Sequence, residues 1–162
     1  MIFIPEIPNN SLKKKLEEIV FLAKTAVNSE AYEEELLTFE FNKPVTESEL
    51  AAFEKELDVV FDEDYKDFLR FSNGAIICFN SAELYNIENI KALDAKEKDE
   101  SLPDDYIIIA DVIGDGEVLC YSRNKKKFIS CFDEEWEYDS FSEFLNELID
   151  RVRDKLVEYV EL

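Results

Sequence analysis

The chain has 162 residues, an ordinary 46% of hydrophobic side chains and a generous 13% of aromatics, which suits one folded domain with a sizeable core and not a disordered segment. Against 18 Lys and Arg stand 39 Asp and Glu, a formal charge of −21 that argues against nucleic-acid backbones and anionic membranes as partners. A basic protein is the inverse expectation, the alternative being that the acidity serves solubility alone.

Residues 1–10, with Pro5 and Pro8, read as an extended arm. The arm has no basic leader and no long apolar segment, so it is not a signal peptide, and no later run approaches membrane-spanning length. Asn10 or Ser11 starts a helix in which Leu12, Leu16, Ile19, Val20, Ala23 and Val27 keep one face apolar. Lys13, Lys14 and Lys15 form a solvated face of it. Glu30–Leu37 extends this helix or begins another, and Leu37–Phe41 is a short strand ahead of Pro44.

Residues 45–74, VTESELAAFEKELDVVFDEDYKDFLRFSNG, hold two short helices in succession. Thr46 and Glu49 form a capping box, with Val45 and Leu50 at the staple positions around it. Leu50, Phe53 and Leu57 recur at helical spacing. Asp58 interrupts the pattern and Val59, Val60 and Phe61 make an apolar hinge. Asp62 caps the second helix, whose buried face is Tyr65, Phe68 and Leu69, and Asn73-Gly74 stops it with a left-handed cap.

Ala75–Phe79 and Ser81–Tyr85 follow as paired short strands. Asn86–Asp105 is charged and reads as a surface excursion with one helical turn. Tyr106–Asp111 is almost continuously apolar, as a central strand is. Gly114-Asp115-Gly116 turns the chain into a strand over Glu117–Tyr121, and Arg123–Lys126 turns it again into Lys127–Phe132. Asp133–Asp139, DEEWEYD, is an acidic loop. Ser140 and Glu143 make a second capping box, and Phe141, Phe144, Leu148, Val152 and Tyr159 carry a long final helix. The fold class is α+β: N-terminal helices, an antiparallel sheet of four to six strands and a long C-terminal helix, in one domain over residues 1–162.

The pattern of a threonine-capped helix, T-E-x-E-L-x-x-F-E, then an acid-acid-x-Y-x-x-F-L helix ending in N-G, resembles the SUKH superfamily (Smi/Knr-like family). Thr46, Glu49, Leu50, Phe53, Glu54, Leu57, Phe61, Tyr65, Phe68, Leu69, Asn73 and Gly74 carry the resemblance, strongest over 45–74 and continued more weakly over Tyr106–Leu145. Asp58 stands where the family usually has Gly, and Asp62 where it usually has Pro. Asp can supply the positive φ of the first and the cap of the second. The resemblance implies an immunity protein that binds and neutralises a cognate toxin, often a nuclease, by stoichiometric occlusion without chemistry. Its fungal regulators suggest the other reading, a cytosolic regulatory or scaffold module.

An active site is hard to build from these residues. With no histidine there is no Ser-His or Cys-His couple and no histidine-based zinc site. Asp111, Asp115 and Glu117 could approach a calcium ion, yet D-x3-D-x-E is not an EF-hand spacing and a plain hairpin turn is the preferred reading. The expectation is therefore no enzyme, no metal and no cofactor. Glu54, Asn73 and Gly74 are structural: Gly74 as a positive-φ cap, Asn73 by local backbone hydrogen bonding, Glu54 as an anchor for a backbone or basic group. Cys78, Cys120 and Cys131 lie in strand-like runs without C-x-x-C spacing, as buried free thiols of a cytoplasmic protein. Functional content is expected in Asp133, Glu134, Glu135, Trp136, Glu137, Tyr138 and Asp139. Aromatics among acids suit a basic partner surface, such as a toxin domain. The bland alternative is a solvated loop with Trp136 tucked into the core. Whether the chain is a monomer or a homodimer stays open.

Overall fold

A computed structural model describes residues 2–33, 37–78, 81–96, 101–112, 116–131 and 134–162. The elements run α1 (Lys13–Val27), α2 (Glu30–Glu33), β1 (Phe39–Phe41), α3 (Glu47–Leu57), α4 (Glu63–Leu69), β2 (Ala75–Ile77), β3 (Ala82–Leu84), α5 (Ile87–Ala95), β4 (Tyr106–Val112), β5 (Glu117–Ser122), β6 (Lys127–Cys131), β7 (Glu135–Tyr138) and α6 (Phe141–Leu156). The class is α+β, as expected. None of the described helices is long and apolar enough to cross a membrane.

The seven strands form one antiparallel sheet in strict sequence order, β1 to β7. This is more than the four to six expected, because the acidic 133–139 segment is not a loop. Asp133 lies outside the described residues, but Glu135–Tyr138 pairs with β6, Trp136 opposite Ser130 and Tyr138 opposite Phe128. Asn86–Asp105 is also corrected: α5 is nine residues long, not one turn. Asn86 caps it by accepting the Asn89 N–H at 2.8 Å, and Ile87 and Ile90 bury its short apolar face. Two apolar anchors in a charged run are too few for periodicity to find.

Burial divides the sheet into two faces. The main core includes Phe39, Phe41, Ile77, Leu84, Leu119, Tyr121 and Phe128 from one face together with the apolar stripes of α1, α3, α4, α5 and α6. A second, small cluster of Tyr106, Cys120, Ile129 and Cys131 lies on the opposite face, with Leu102, Ile108 and Val118 against it. A bulge in β4 between Ile108 and Ala110 shifts the alternation by one residue. Ile107, Ile109, Ala110 and Val112 thereby all join the main core, while Ile108 and Asp111 point away from it.

Two ends differ from expectation in detail. Asp62 holds the N-cap position of α4, but its side chain makes no capping bond there; Oδ2 accepts the Phe141 N–H at 3.1 Å and so ties the start of α6. Burial pushes the Asp62 carboxyl up. Ser140 caps α6 by accepting from Glu143 N at 3.3 Å, whereas the Glu143 carboxylate takes the N–H of Asp139. α6 ends at Leu156, so Tyr159 lies beyond it and is exposed. Cys78, Cys120 and Cys131 are buried thiols that form no disulfide.

Candidate partner-binding surface

The helix pair α3–α4 spends its distinctive residues on holding the fold. Thr46 accepts the Glu49 N–H at 3.2 Å and the Glu49 carboxylate accepts the Thr46 N–H at 3.1 Å, a complete capping box. The Thr46 hydroxyl holds the Glu49 carboxyl below its usual range. Asp58 closes α3 with φ 50°, the left-handed conformation that Gly would supply. Arg123 reaches over from beyond β5, donating to the Leu57 carbonyl at 2.9 Å and to Asp94 of α5 at 3.1 Å. Glu54 accepts the Phe61 N–H at 2.8 Å and stands 3.7 Å from the ammonium of the buried Lys66.

Tyr65 is wholly inside, its ring 5.1 Å from both Phe61 and Phe141 and 5.9 Å from Phe128. Burial drives its phenol far up. Asn73 acts at longer range than local bonding: its Oδ1 accepts the Ile87 N–H at 2.9 Å and so seats the first turn of α5. Gly74 has φ +75°, and a Cβ there would stand 2.6 Å from the Leu84 carbonyl oxygen and 2.7 Å from the Asn86 nitrogen. Of these residues only Thr46, Glu49 and Asp58 are exposed, and the Thr46 and Glu49 side chains are bonded to each other.

The acidic segment is the sheet edge. Trp136 is 66% exposed, so it is not tucked into the core, while Tyr138 is buried against Phe144 with its hydroxyl donating to Glu147. The acids beside Trp136 are largely engaged already. Glu137 meets Lys125 at 3.0 Å and Lys127 at 3.5 Å, Asp139 meets Lys127 at 3.2 Å, and Glu135 accepts from the Tyr106 hydroxyl at 3.2 Å. Lys125 holds the Glu137 carboxyl below its usual range. β7 therefore offers an exposed indole more than a free negative charge.

Uncompensated charge lies elsewhere, on the sheet face that no described helix covers. The register aligns Glu40, Ile76, Glu83, Asp111, Val118, Cys131 and Glu135 in one row across all seven strands. None of the ion pairs among the described residues involves Glu40, Glu83 or Asp111. Glu83 stands directly opposite Asp111, a like-charge pairing that a sheet normally avoids. One oxygen of Asp111 is buried without a hydrogen-bond partner. Burial raises the Tyr85 phenol, and Asp111 and Glu83 close by raise it further. A groove of about 170 Å³ runs past Glu40, Asn42, Ile76, Glu83, Tyr85 and Asn89.

Of these carboxylates only Asp111 stands out in the sequence, and there for a cation shared with Asp115 and Glu117. Asp111 and Glu117 project from opposite faces of the sheet, Glu117 toward the Ser130 hydroxyl that donates to it. Asp115 lies outside the described residues, and these hold no cluster of acids and thiols able to bind a metal. The missed signal is a triplet: Phe39-Glu40-Phe41, Ala82-Glu83-Leu84 and Ala110-Asp111-Val112 each set an acid between two core residues.

Among known proteins the chain is similar to the uncharacterized protein YnaB of Bacillus subtilis (strain 168), 33% identical over 72 residues. The match covers 44% of this chain and 47% of that protein, so it spans about half of each. A family model matches residues 44–147, from just ahead of the capping box into α6, and that is well over half the chain. The chain belongs to the SMI1/KNR4 family (SUKH-1).

Proposed function

We propose that the chain is an immunity-type inhibitor: a cytoplasmic protein that binds a basic toxin domain stoichiometrically, covers its working surface and catalyses no reaction. The observation that carries this reading is the charge of −21 on a scaffold whose distinctive side chains, Thr46, Glu54, Tyr65, Asn73 and Gly74, are spent on the fold. What remains for function is an acidic surface. A nuclease toxin must present cations to hold phosphates, and an acidic inhibitor can occupy that groove with association steered by charge. Membership of the SMI1/KNR4 family supports the reading.

The test is co-expression with candidate toxin domains drawn from the reading frames that neighbour the gene. The expected result is restored growth and a one-to-one complex whose association slows steeply as salt shortens the Debye length below about 10 Å. Candidate toxins that all kill at the same dose with or without the chain, and form no complex with it, overturn the proposal.

A further inference from the structure

The functional reading leaves open which surface meets the partner, and the inference here rests on that reading. Fold stability alone gives no reason for the open face of β1–β4. Opposed carboxylates on neighbouring strands destabilise a sheet, and Glu83 and Asp111 are so opposed. An acid in such a place ordinarily gains a lysine or arginine neighbour. This chain does so repeatedly elsewhere: Arg70 gathers Glu47, Glu63 and Asp67, Lys91 meets Glu56 and Glu88, and Lys125 and Lys127 serve the acids of β7. Glu40, Glu83 and Asp111 have no such neighbour among the described residues. Leu102 and the small outer cluster cover only the β4–β6 part of this face. The β1–β4 part keeps Glu40 and Glu83 exposed and Ile76, Tyr85 and Asp111 half-buried.

We infer that this face is the docking surface for a protein partner, and that the groove between Glu40, Glu83 and Tyr85 takes an arginine or lysine side chain from it. The chemistry fits on three counts. Carboxylates on either side of the groove can accept from a guanidinium, and charge-assisted bonds of this kind are about twice as strong as neutral ones. The half-buried Tyr85 ring lines the groove, where a cation could lie against it. The groove has room for several waters at roughly 30 Å³ each, hence for the end of one long side chain. Ile76, in the same row between Glu40 and Glu83, gives the partner an apolar contact between the charges. The occupant is basic because the site lacks only positive charge.

The experiment uses the full chain, labelled with nitrogen-15, and a defined probe: a short peptide of alternating arginine and valine. Titration at low salt is expected to shift the amides of Ile76, Glu83, Tyr85 and Asp111 saturably. The double variant Glu83→Gln, Asp111→Asn, which keeps shape and removes charge, should weaken binding about tenfold, the weight of one charge-assisted bond. The matched variant Glu158→Gln, Glu161→Gln loses the same net charge from exposed positions beyond α6 and should bind within about twofold of wild type. Equal loss in both variants, or shifts scattered over the whole acidic surface, would mean the attraction is net charge alone and would overturn the inference. Unchanged binding in the Glu83→Gln, Asp111→Asn variant would overturn it as well. Protection against the candidate toxins separates the two claims. A variant that loses the peptide site yet still protects sinks the surface and spares the function. A wild-type chain that binds the peptide on this face but never protects does the reverse.

Discussion

Gly74→Ala tests how the exit from α4 is built. At φ +75° an L-side chain costs about 1–2 kcal/mol in the left-handed region. The added Cβ would also lie 2.6–2.8 Å from Leu84 O, Asn86 N and Tyr85 C, all backbone atoms that cannot rotate aside. Forcing them apart is an overpacking cost of about 1–3 kcal/mol, and the sum, about 2–5 kcal/mol, is a large share of an ordinary domain's stability of about 5–15 kcal/mol. With a urea slope of about 2 kcal/mol per molar, the unfolding midpoint should fall by about 1–2.5 M. Because the clash falls on the strand-to-helix turn before α5, amide exchange of Ile90 should accelerate more than that of Leu16. Gly74→Asn separates the two causes: Asn tolerates positive φ but carries the same Cβ, so it should remain about 1–3 kcal/mol destabilised. An alanine variant within about 0.5 kcal/mol of wild type would refute both the φ and the contact argument.

Four further outcomes follow from described contacts. Thr46→Ala should lose about 0.5–2 kcal/mol of stability by chemical denaturation while partner affinity holds; a stable variant that no longer binds would make Thr46 a contact residue. Bonding to Arg70 holds the Glu47 carboxyl below its ordinary 4.5, so the stability Arg70 adds is present above that pH and lost as pH falls through the depressed value. The gap between wild type and Arg70→Gln should therefore be open at neutrality and close as the pH falls below the ordinary 4.5; a constant gap would mean Arg70 acts by packing. All three thiols should resist a thiol reagent in the native protein and react completely on unfolding, and a thiol count below three on anaerobic unfolding would reveal a bridge. Trp136→Ala should leave stability within about 0.5 kcal/mol, since the indole is 66% exposed; a larger loss would put it in the core.

What could be read from sequence was local. The Thr46–Glu49 box spans four residues, so its chemistry is complete within one turn of chain, and the left-handed ends at Asp58 and Gly74 are likewise decided by a single residue's φ. The acceptor role of Asn73 was not legible, because its donor, Ile87, belongs to a helix whose apolar pattern is two residues deep. Asp62 was legible as a cap and not as a tie to Phe141, seventy-nine positions away. The acidic segment drew attention because its acids are consecutive. Neutralisation by Lys125 and Lys127 depends on β7 folding against the preceding hairpin. Glu40, Glu83 and Asp111 escaped for the opposite reason, since only the register of β1–β4 brings them into a row.

The strand order has a consequence for how the chain comes to be folded. Because β1 to β7 are neighbours in sequence order, the sheet can lengthen at one edge as the polypeptide emerges, each new strand finding its template already in place. The helical layer has no such order. α1, made before any strand, packs against α6, made after all of them, and Phe39 and Ile77 meet Leu148 and Val152 under both. Until α6 is synthesised, the part of the sheet's apolar side that α6 covers, around Phe39 and Ile77, lacks that helix. A chain halted before Phe141 would therefore present that part to chaperones, proteases or other nascent chains, and protection from them arrives late and all at once.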